Sequence, residues 1–256
     1  MKAVIFVARN MDERRERILQ MVNQAGILDF DQLRAAFPTV SDVTLRKDLQ
    51  YLDDTHQAVR THGGIKSVPS ALNYFYRSNI NHDKKQAIAK KAVGLISPGD
   101  SVFISAGTTC AELARCLSSF PLRVCSDGVY TVSNIPSLPN ISVELLGGDV
   151  DLNIMRVEGI SALNSLENKH FSIAFMGALC IHPDFGFAHN SAMTVALLEK
   201  VIERSDKVVI LADSTKFSDA FYPYSIPIFS VDVIVTDELP PEELAACFTG
   251  KGITLL

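Results

Sequence analysis

The stretch that most constrains this chain is Thr39–Leu52, read as T-V-S-D-V-T-L-R-K-D-L-Q-Y-L. Ser41 suits an N-cap, because its hydroxyl can accept from an orphan amide of the first helical turn. Leu45, Leu49 and Leu52 recur at i, i+4 and i+7, which stacks them on one helix face. At about 100° per residue the opposite face carries Val43, Lys47 and Gln50, with Thr44, Arg46 and Tyr51 on the flanks. Cations, a hydroxyl and an amide are the groups that meet phosphates and base edges when a helix lies in a major groove. Taken alone, the pattern equally describes an amphipathic helix with a solvated polar face, so its neighbours decide.

Those neighbours follow an order. Met11-Asp12-Glu13-Arg14-Arg15 opens a helix with acidic residues at its N-terminus. Ile18, Leu19 and Val22 continue its stripe to about Gln24, and Gly26 reads as a left-handed C-cap. A second short helix, Asp31–Phe37, points Leu33, Ala36 and Phe37 inward and stops at Pro38. A tight turn then leads to Ser41. Helix, short helix, turn and helix make a helix-turn-helix. After Thr55, the run H-Q-A-V-R-T-H-G-G-I (His56–Ile65) predicts a small hairpin or wing, with Gly63-Gly64 at its turn and Arg60 and His62 near the phosphate backbone. Met1–Asn10 reads as a short extra strand or as the product of an upstream start codon.

The net charge of −5 argues little for nucleic acid until it is divided. Residues 1–66 hold ten Lys/Arg against nine Asp/Glu, a net of +1, so the remainder carries −6. Affinity for DNA must then come from local placement and from several copies of the module. No apolar run reaches the roughly 18 residues that span a membrane, and Ala3–Ala8 is too short for a signal-peptide core. Five cysteines without a C-x-x-C pair suit a reduced cytoplasm and small buried side chains rather than zinc or disulfides.

Ser67–His82, with Tyr74, Phe75 and Tyr76, reads as a linker that packs on a domain or a partner subunit. From Asp83 helices and strands alternate: helix Lys84–Leu95, strand Ser101–Ser105, helix Cys110–Leu117, strands Ile141–Leu146 and Phe171–Met176, helix Ser191–Arg204, strands Lys207–Leu211 and Val231–Val235. Buried apolar strands alternating with helices predict a mostly parallel α/β sheet, whose ligands sit beyond the carboxyl ends of the strands. Gly107-Thr108-Thr109, Ser126-Asp127-Gly128, Gly147-Gly148, Gly177 and Asp213–Lys216 all fall there. The first also opens a helix, where outward amides and the helix dipole favour an anion; a capping role alone would use the same residues.

V-S-D-V-T-L-R-K-D-L followed by V-R-T-H-G-G resembles the winged helix-turn-helix of DeoR-family bacterial transcription regulators, whose usual runs are V-S-x-x-T-I-R-R-D-L and R-x-H-G-G. Ser41, Thr44, Arg46, Asp48, Leu49, Arg60, His62, Gly63 and Gly64 agree together. Lys47 stands for a second arginine, keeping the charge but losing the bidentate fork. The resemblance implies Ser41, Thr44, Arg46 and Lys47 at the DNA, with Arg60 and His62 in the wing; Gln50 joins the candidates from its place on the polar face. Asp48 is acidic and reads as structural, pairing with Arg46 or Lys47. G-D-S-V-F-I-S-A-G-T-T, L-L-G-G and V-V-I-L-A-D-S-T-K-F resemble the DeoR effector domain, related in fold to ribose-5-phosphate isomerase and CoA transferases. This implies a sensor of a phosphorylated sugar or similar metabolite, cradled at Gly107, Thr108 and Thr109; Ser126, Asp127, Gly147, Gly148, Gly177 and Lys216 join it as candidates from their places at the strand ends.

Three departures bear on that effector. Ser105 replaces the family's Asp before G-T-T, Cys125-Ser126-Asp127-Gly128 replaces a T-N-S stretch, and Thr194, Val195, Leu198 and Glu199 replace an E-A-x-x-K-R pattern. Lys216 is kept and can hold a phosphate as a point charge.

The expectation is a non-enzymatic regulator of carbohydrate or related genes that calls for no metal and no cofactor. It comprises a winged helix-turn-helix (11–66), a linker (67–82) and an α/β effector domain (83–256), acting on operator DNA as a cytoplasmic homo-oligomer without membrane contact. One alternative is an isomerase-like enzyme with an accessory DNA module, for which Asp127 and Asp213 are the available bases. The other is a non-sensing oligomeric DNA-binding protein.

Overall fold

In the computed structural model the described residues are 11–55, 57–67, 74–218, 220 and 222–256. They fall into two compact units that divide between Ile80 and Asn81. The expectation for Met1–Asn10 lies outside the described residues.

The first unit runs α1 (Met11–Ala25), β1 (Ile27–Asp29), α2 (Phe30–Ala36), α3 (Asp42–Asp54), β2 (Ala58–Thr61), β3 (Gly64–Ser67) and α4 (Tyr74–Asn79). Gly26 ends α1 at φ +78, as its sequence position suggests. Asp29 and Gln32 form a reciprocal capping box at α2: the Gln32 amide donates to Asp29 Oδ1 at 2.7 Å, and the Asp29 amide donates to Gln32 Oε1 at 2.9 Å. Leu45, Leu49 and Leu52 of α3 pack on Ile18, Val22, Leu33 and Phe37. Each such buried side chain stabilises the unit by about 1.5–3 kcal/mol relative to exposure.

The wing is present as an antiparallel hairpin, with His62 and Gly63 at its turn. The sequence reading omitted β1, which joins the hairpin to make a sheet ordered β1-β3-β2. Only three residues long, it has no periodicity of its own and exists through its pairing with β3. The proposed linker is also more structured than expected. Ser67 ends β3, Tyr74–Asn79 is helical, and Tyr76 packs against the core of the first unit.

The second unit contains α5 (His82–Ala92), β4 (Ser101–Ile104), α6 (Thr108–Arg115), β5 (Leu122–Ser126), α7 (Val129–Ser133), β6 (Ile141–Leu145), β7 (Asp149–Asp151), β8 (Arg156–Glu158), α8 (Ile160–Ser165), β9 (Ile173–Gly177), β10 (Cys180–His182), β11 (Gly186–His189), α9 (Ala192–Glu203), β12 (Val208–Leu211), β13 (Tyr224–Ile226), β14 (Val233–Val235), α10 (Glu242–Thr249) and β15 (Thr254–Leu255). Seven strands form one sheet ordered β15-β14-β12-β9-β4-β5-β6, and every pairing in it is parallel. Val102 and Ile104 face a core shared with α5 and α6, whereas Phe103 faces a core shared with α8, α9 and α10. Both faces are covered, which is why V-F-I is buried without alternation. The small sheet β10-β11-β13 and the hairpin β7-β8 are antiparallel, and neither carries enough sequence pattern to be anticipated.

Candidate functional site

The first site is α3 with its wing. Ser41 caps the helix, accepting from the Thr44 amide at 3.2 Å, and its Oγ lies 2.9 Å from Thr44 Oγ1. Leu45, Asp48, Leu49 and Leu52 are buried, while Ser41, Val43, Arg46 and Lys47 are exposed and Thr44 and Gln50 are half-buried. Arg46 lies over the Phe30 ring at 4.3 Å. No side-chain hydrogen bond or ion pair engages Arg46 or Lys47 among the described residues, so their N–H donors face water. Before α3, the Arg34 guanidinium grips Asp42 at 2.5 and 3.0 Å, and this hydrogen bonding holds the Asp42 carboxyl below its usual range.

Asp48 is structural, as expected, but its partners are different. It is 1 % exposed and accepts from Arg14 Nε at 2.6 Å and Arg15 Nε at 2.9 Å, both on α1. Arg46 and Lys47 cannot serve, because residues one and two apart on a helix do not face each other. Arg15 also stacks on Tyr51 of α3, 3.8 Å from the ring centroid.

The wing is tied to α3 by Arg60. Its guanidinium donates to Gln50 Oε1, while its backbone amide donates to Asp53 Oδ1 at 3.0 Å. Gln50 in turn donates to Asp54 at 2.6 Å. His62 and Gly63 are exposed at the tip, whereas Gly64 is buried. A Cβ on Gly64 would lie 2.0 Å from the Leu28 carbonyl oxygen, so only glycine lets β3 approach β1 here.

The second site lies at the carboxyl ends of the parallel strands. From β4 the chain proceeds to β5 and β6 on one side and to β9, β12, β14 and β15 on the other. The strand order therefore reverses between β4 and β9, which is where open α/β sheets bind ligands. Gly107-Thr108-Thr109 follows β4, and Gly177 ends β9, on the two sides of that reversal. Gly107 has φ +152, a left-handed conformation that glycine adopts freely, and it leads straight into α6.

Ser126 and Asp127 stand behind this loop. Ser126 donates to the Ile104 carbonyl at 2.5 Å and accepts from the Gly128 amide at 2.9 Å. Asp127 is fully buried, with both oxygens engaged: Oδ1 accepts from the Ala106 amide at 2.5 Å and Oδ2 from Arg156 at 2.6 Å. Burial pushes the Asp127 carboxyl upward, and Arg156 opposes that. Arg156 also donates to Ser105 Oγ at 3.3 Å and to the Ala106 carbonyl at 3.1 Å. The sequence reading missed Arg156, which sits in a three-residue strand after an irregular segment and carries no local signal.

Glu158 and Thr194 are two further polar residues on β8 and α9. Glu158 Oε2 and Thr194 Oγ1 are buried without a hydrogen-bond partner of normal geometry. Burial raises the Glu158 carboxyl, with Arg156 pulling the other way. Gly147 and Gly148 link β6 to β7. Lys216 lies in a short turn after β12 and makes no side-chain hydrogen bond or ion pair among the described residues. Asp213 caps that turn through the Thr215 amide at 3.1 Å rather than pairing with Lys216. At the ends of β12 and β14, Lys84 donates to Ser214 Oγ and to Asp237 Oδ2, each at 2.6 Å. A cleft of about 230 Å³ opens on the small sheet, between Cys180, His182, Phe185 and Tyr222, and is lined by none of the strand-end residues named above.

No helix among the described residues is long and apolar enough to cross a membrane. Residues 14–71 match the DeoR-like helix-turn-helix domain, and residues 80–238 match the DeoR C-terminal sensor domain. The chain is 30% identical over 245 residues to the HTH-type transcriptional regulator GolR of Listeria innocua, covering 94% of this chain and 96% of that one. It is 29% identical over 250 residues to the putative aga operon transcriptional repressor of Escherichia coli O157:H7, covering 95% and 93%. Among solved structures, ribose 5-phosphate isomerase A from Neisseria gonorrhoeae aligns at 17% identity over 52% of each chain, with a TM-score of 0.38. The two domain matches fall on the two compact units, and the chain belongs to the DeoR family of helix-turn-helix transcriptional regulators.

Proposed function

We propose that this regulator is a cytoplasmic homo-oligomeric repressor of carbohydrate or related metabolic genes, released from its operator by a phosphorylated sugar-like metabolite. The observation that carries the DNA half is the exposed pair Arg46 and Lys47, without an ion pair among the described residues, on a capped helix beside a wing. Ser41, Thr44 and Gln50 complete the contact face, and Arg60, His62, Gly63 and Gly64 supply the wing. Residues 11–66 act as the DNA-binding domain, 67–82 as the connection that includes α4, and 83–256 as the effector domain. Oligomerisation supplies the phosphate contacts that one module of net charge +1 lacks.

On the effector side, Gly107, Thr108 and Thr109 take the phosphate at the start of α6, next to the reversal of strand order. Gly147, Gly148, Gly177 and Lys216 border the ligand. Ser126 and Asp127 act from behind, by shaping the loop. The names of relatives support a carbohydrate theme: one is the lactose phosphotransferase system repressor of Lactococcus lactis, 30% identical over 248 residues.

Fluorescence anisotropy on the DNA upstream of the protein's own gene, with and without triose, pentose and hexose phosphates, tests the reading. Specific binding released by one compound is the expected result. Thr108→Val then keeps operator binding but blunts release; a full response in that variant removes the phosphate role from Thr108. Specific binding that no phosphorylated sugar disturbs would favour the non-sensing alternative.

A further inference from the structure

The strand β6 ends the seven-stranded sheet, and no strand among the described residues pairs with its outer side. The Leu122 amide donates to the Asn140 carbonyl at 3.1 Å, and the Leu146 amide donates to the Ser126 carbonyl at 2.8 Å. In a parallel ladder the groups facing one neighbour alternate, so residues 140, 142, 144 and 146 serve β5. Ile141, Val143 and Leu145 therefore turn their main-chain groups outward. The Ile141 amide is satisfied by the Leu138 carbonyl at 3.3 Å. Val143 and Leu145 are each 39% exposed. The other end of the sheet, β15, is only two residues long, a common way to blunt an edge. β6 has five residues and no lysine or proline within it.

We propose that β6 pairs antiparallel with β6 of a second copy of this chain, across a two-fold axis through Val143, joining two seven-stranded sheets into one. This rests on the homo-oligomer reading above and gives it a surface. The sequence I-S-V-E-L supports a second copy because it is complementary to itself when reversed. Val143 meets Val143, Ile141 meets Leu145, and Ser142 meets Glu144. One face of the joint is then wholly apolar, and on the other a hydroxyl faces a carboxylate. Lys169 already neutralises Glu144, with both contacts at 2.7 Å. An axis through Glu144 would oppose two carboxylates and present the wrong main-chain groups. Across the axis through Val143, each copy donates from Val143 and Leu145 and accepts at Val143 and Ile141. A symmetric dimer uses such a self-complementary patch.

Sedimentation velocity on the full chain at micromolar concentration tests this. Val143→Pro removes one outward N–H and leaves the ladder to β5 intact, because that ladder uses the alternate residues. Leu145→Lys places a charge on the apolar face of the joint without altering the backbone. The expected result is an oligomeric wild type and variants of half its mass, with unchanged circular dichroism. Should Val143→Pro unfold, Leu145→Lys decides alone. Folded variants that keep the wild-type mass overturn the strand pairing while leaving the homo-oligomer reading in place. A wild type that sediments as a monomer overturns both.

Discussion

Asp48 in the first unit and Asp127 in the second solve the same problem at different depths. Each is a buried carboxylate gripped by arginine, and each holds a functional segment in place. Asp48 anchors α3 to α1, while Asp127 anchors the loop after β4. Arg14 and Arg15 keep 13% and 15% of their side chains exposed, so the first clasp sits at a rim that water reaches. Arg156 keeps 6%, and Asp127 none. A rim clasp can lose a partner to solvent, but an interior one leaves a stranded charge. The helix α3 thus depends on a buried carboxylate shared by two part-exposed arginines, and the loop on one whose single arginine is buried as well.

The largest effect that would sharpen this contrast is Arg156→Ala, expected to destabilise the second unit by about 3–5 kcal/mol because it strands Asp127. Chemical denaturation measures it, and a loss below about 1 kcal/mol would erase the difference between the clasps. Asp48→Ala should cost less, about 1.5–3 kcal/mol for its charge-assisted hydrogen bonds, and thermal unfolding of the same preparation ranks the two. Arg46→Ala separates anchoring from reading: operator affinity falls by about 1–3 kcal/mol if Arg46 contacts a base, with stability unchanged. An affinity that stays at the wild-type value would take Arg46 out of the interface.

The smallest effect concerns acid. Burial opposes ionisation of Asp237, yet Lys84 and the Ser214 amide hold its carboxyl below the ordinary value of 3.8. A carboxyl whose folded pKa lies below its unfolded value adds stability above the unfolded value and loses it as pH falls through the folded one. Stability should therefore drop as pH moves below about 4, and Asp237→Asn should show a shallower drop from a lower starting point. An identical acid profile in the two proteins would show that the Lys84 contact adds nothing, as solvent screening of the one-third-exposed lysine would cause.

Much of this architecture is legible in the sequence wherever neighbours in sequence do the work. The Ser41 cap, the leucine stripe of α3, the β2–β3 wing and the alternating strands of the large sheet all rest on local spacing. The clasps do not. Asp48 reaches α1 more than thirty residues back, Asp127 reaches Arg156 nearly thirty ahead, and β1 becomes a strand only because β3 lies beside it. At the strand ends, the glycine and threonine loop could be read from its residues, but the burial of Ser126 and Asp127 could not. A serine and an aspartate after a strand look the same whether they face a ligand or the back of a loop.

The hydrogen bonds that join Arg60, Gln50 and Asp54 have a consequence for contact with DNA. In the free protein the amide of Gln50 is already occupied on both ends. If Gln50 contacts a base as proposed, its amide still has a second donor and a second acceptor position to offer. Arg60 and Asp54 hold the Gln50 amide in place before any DNA arrives, so a contact there would have less side-chain freedom left to freeze.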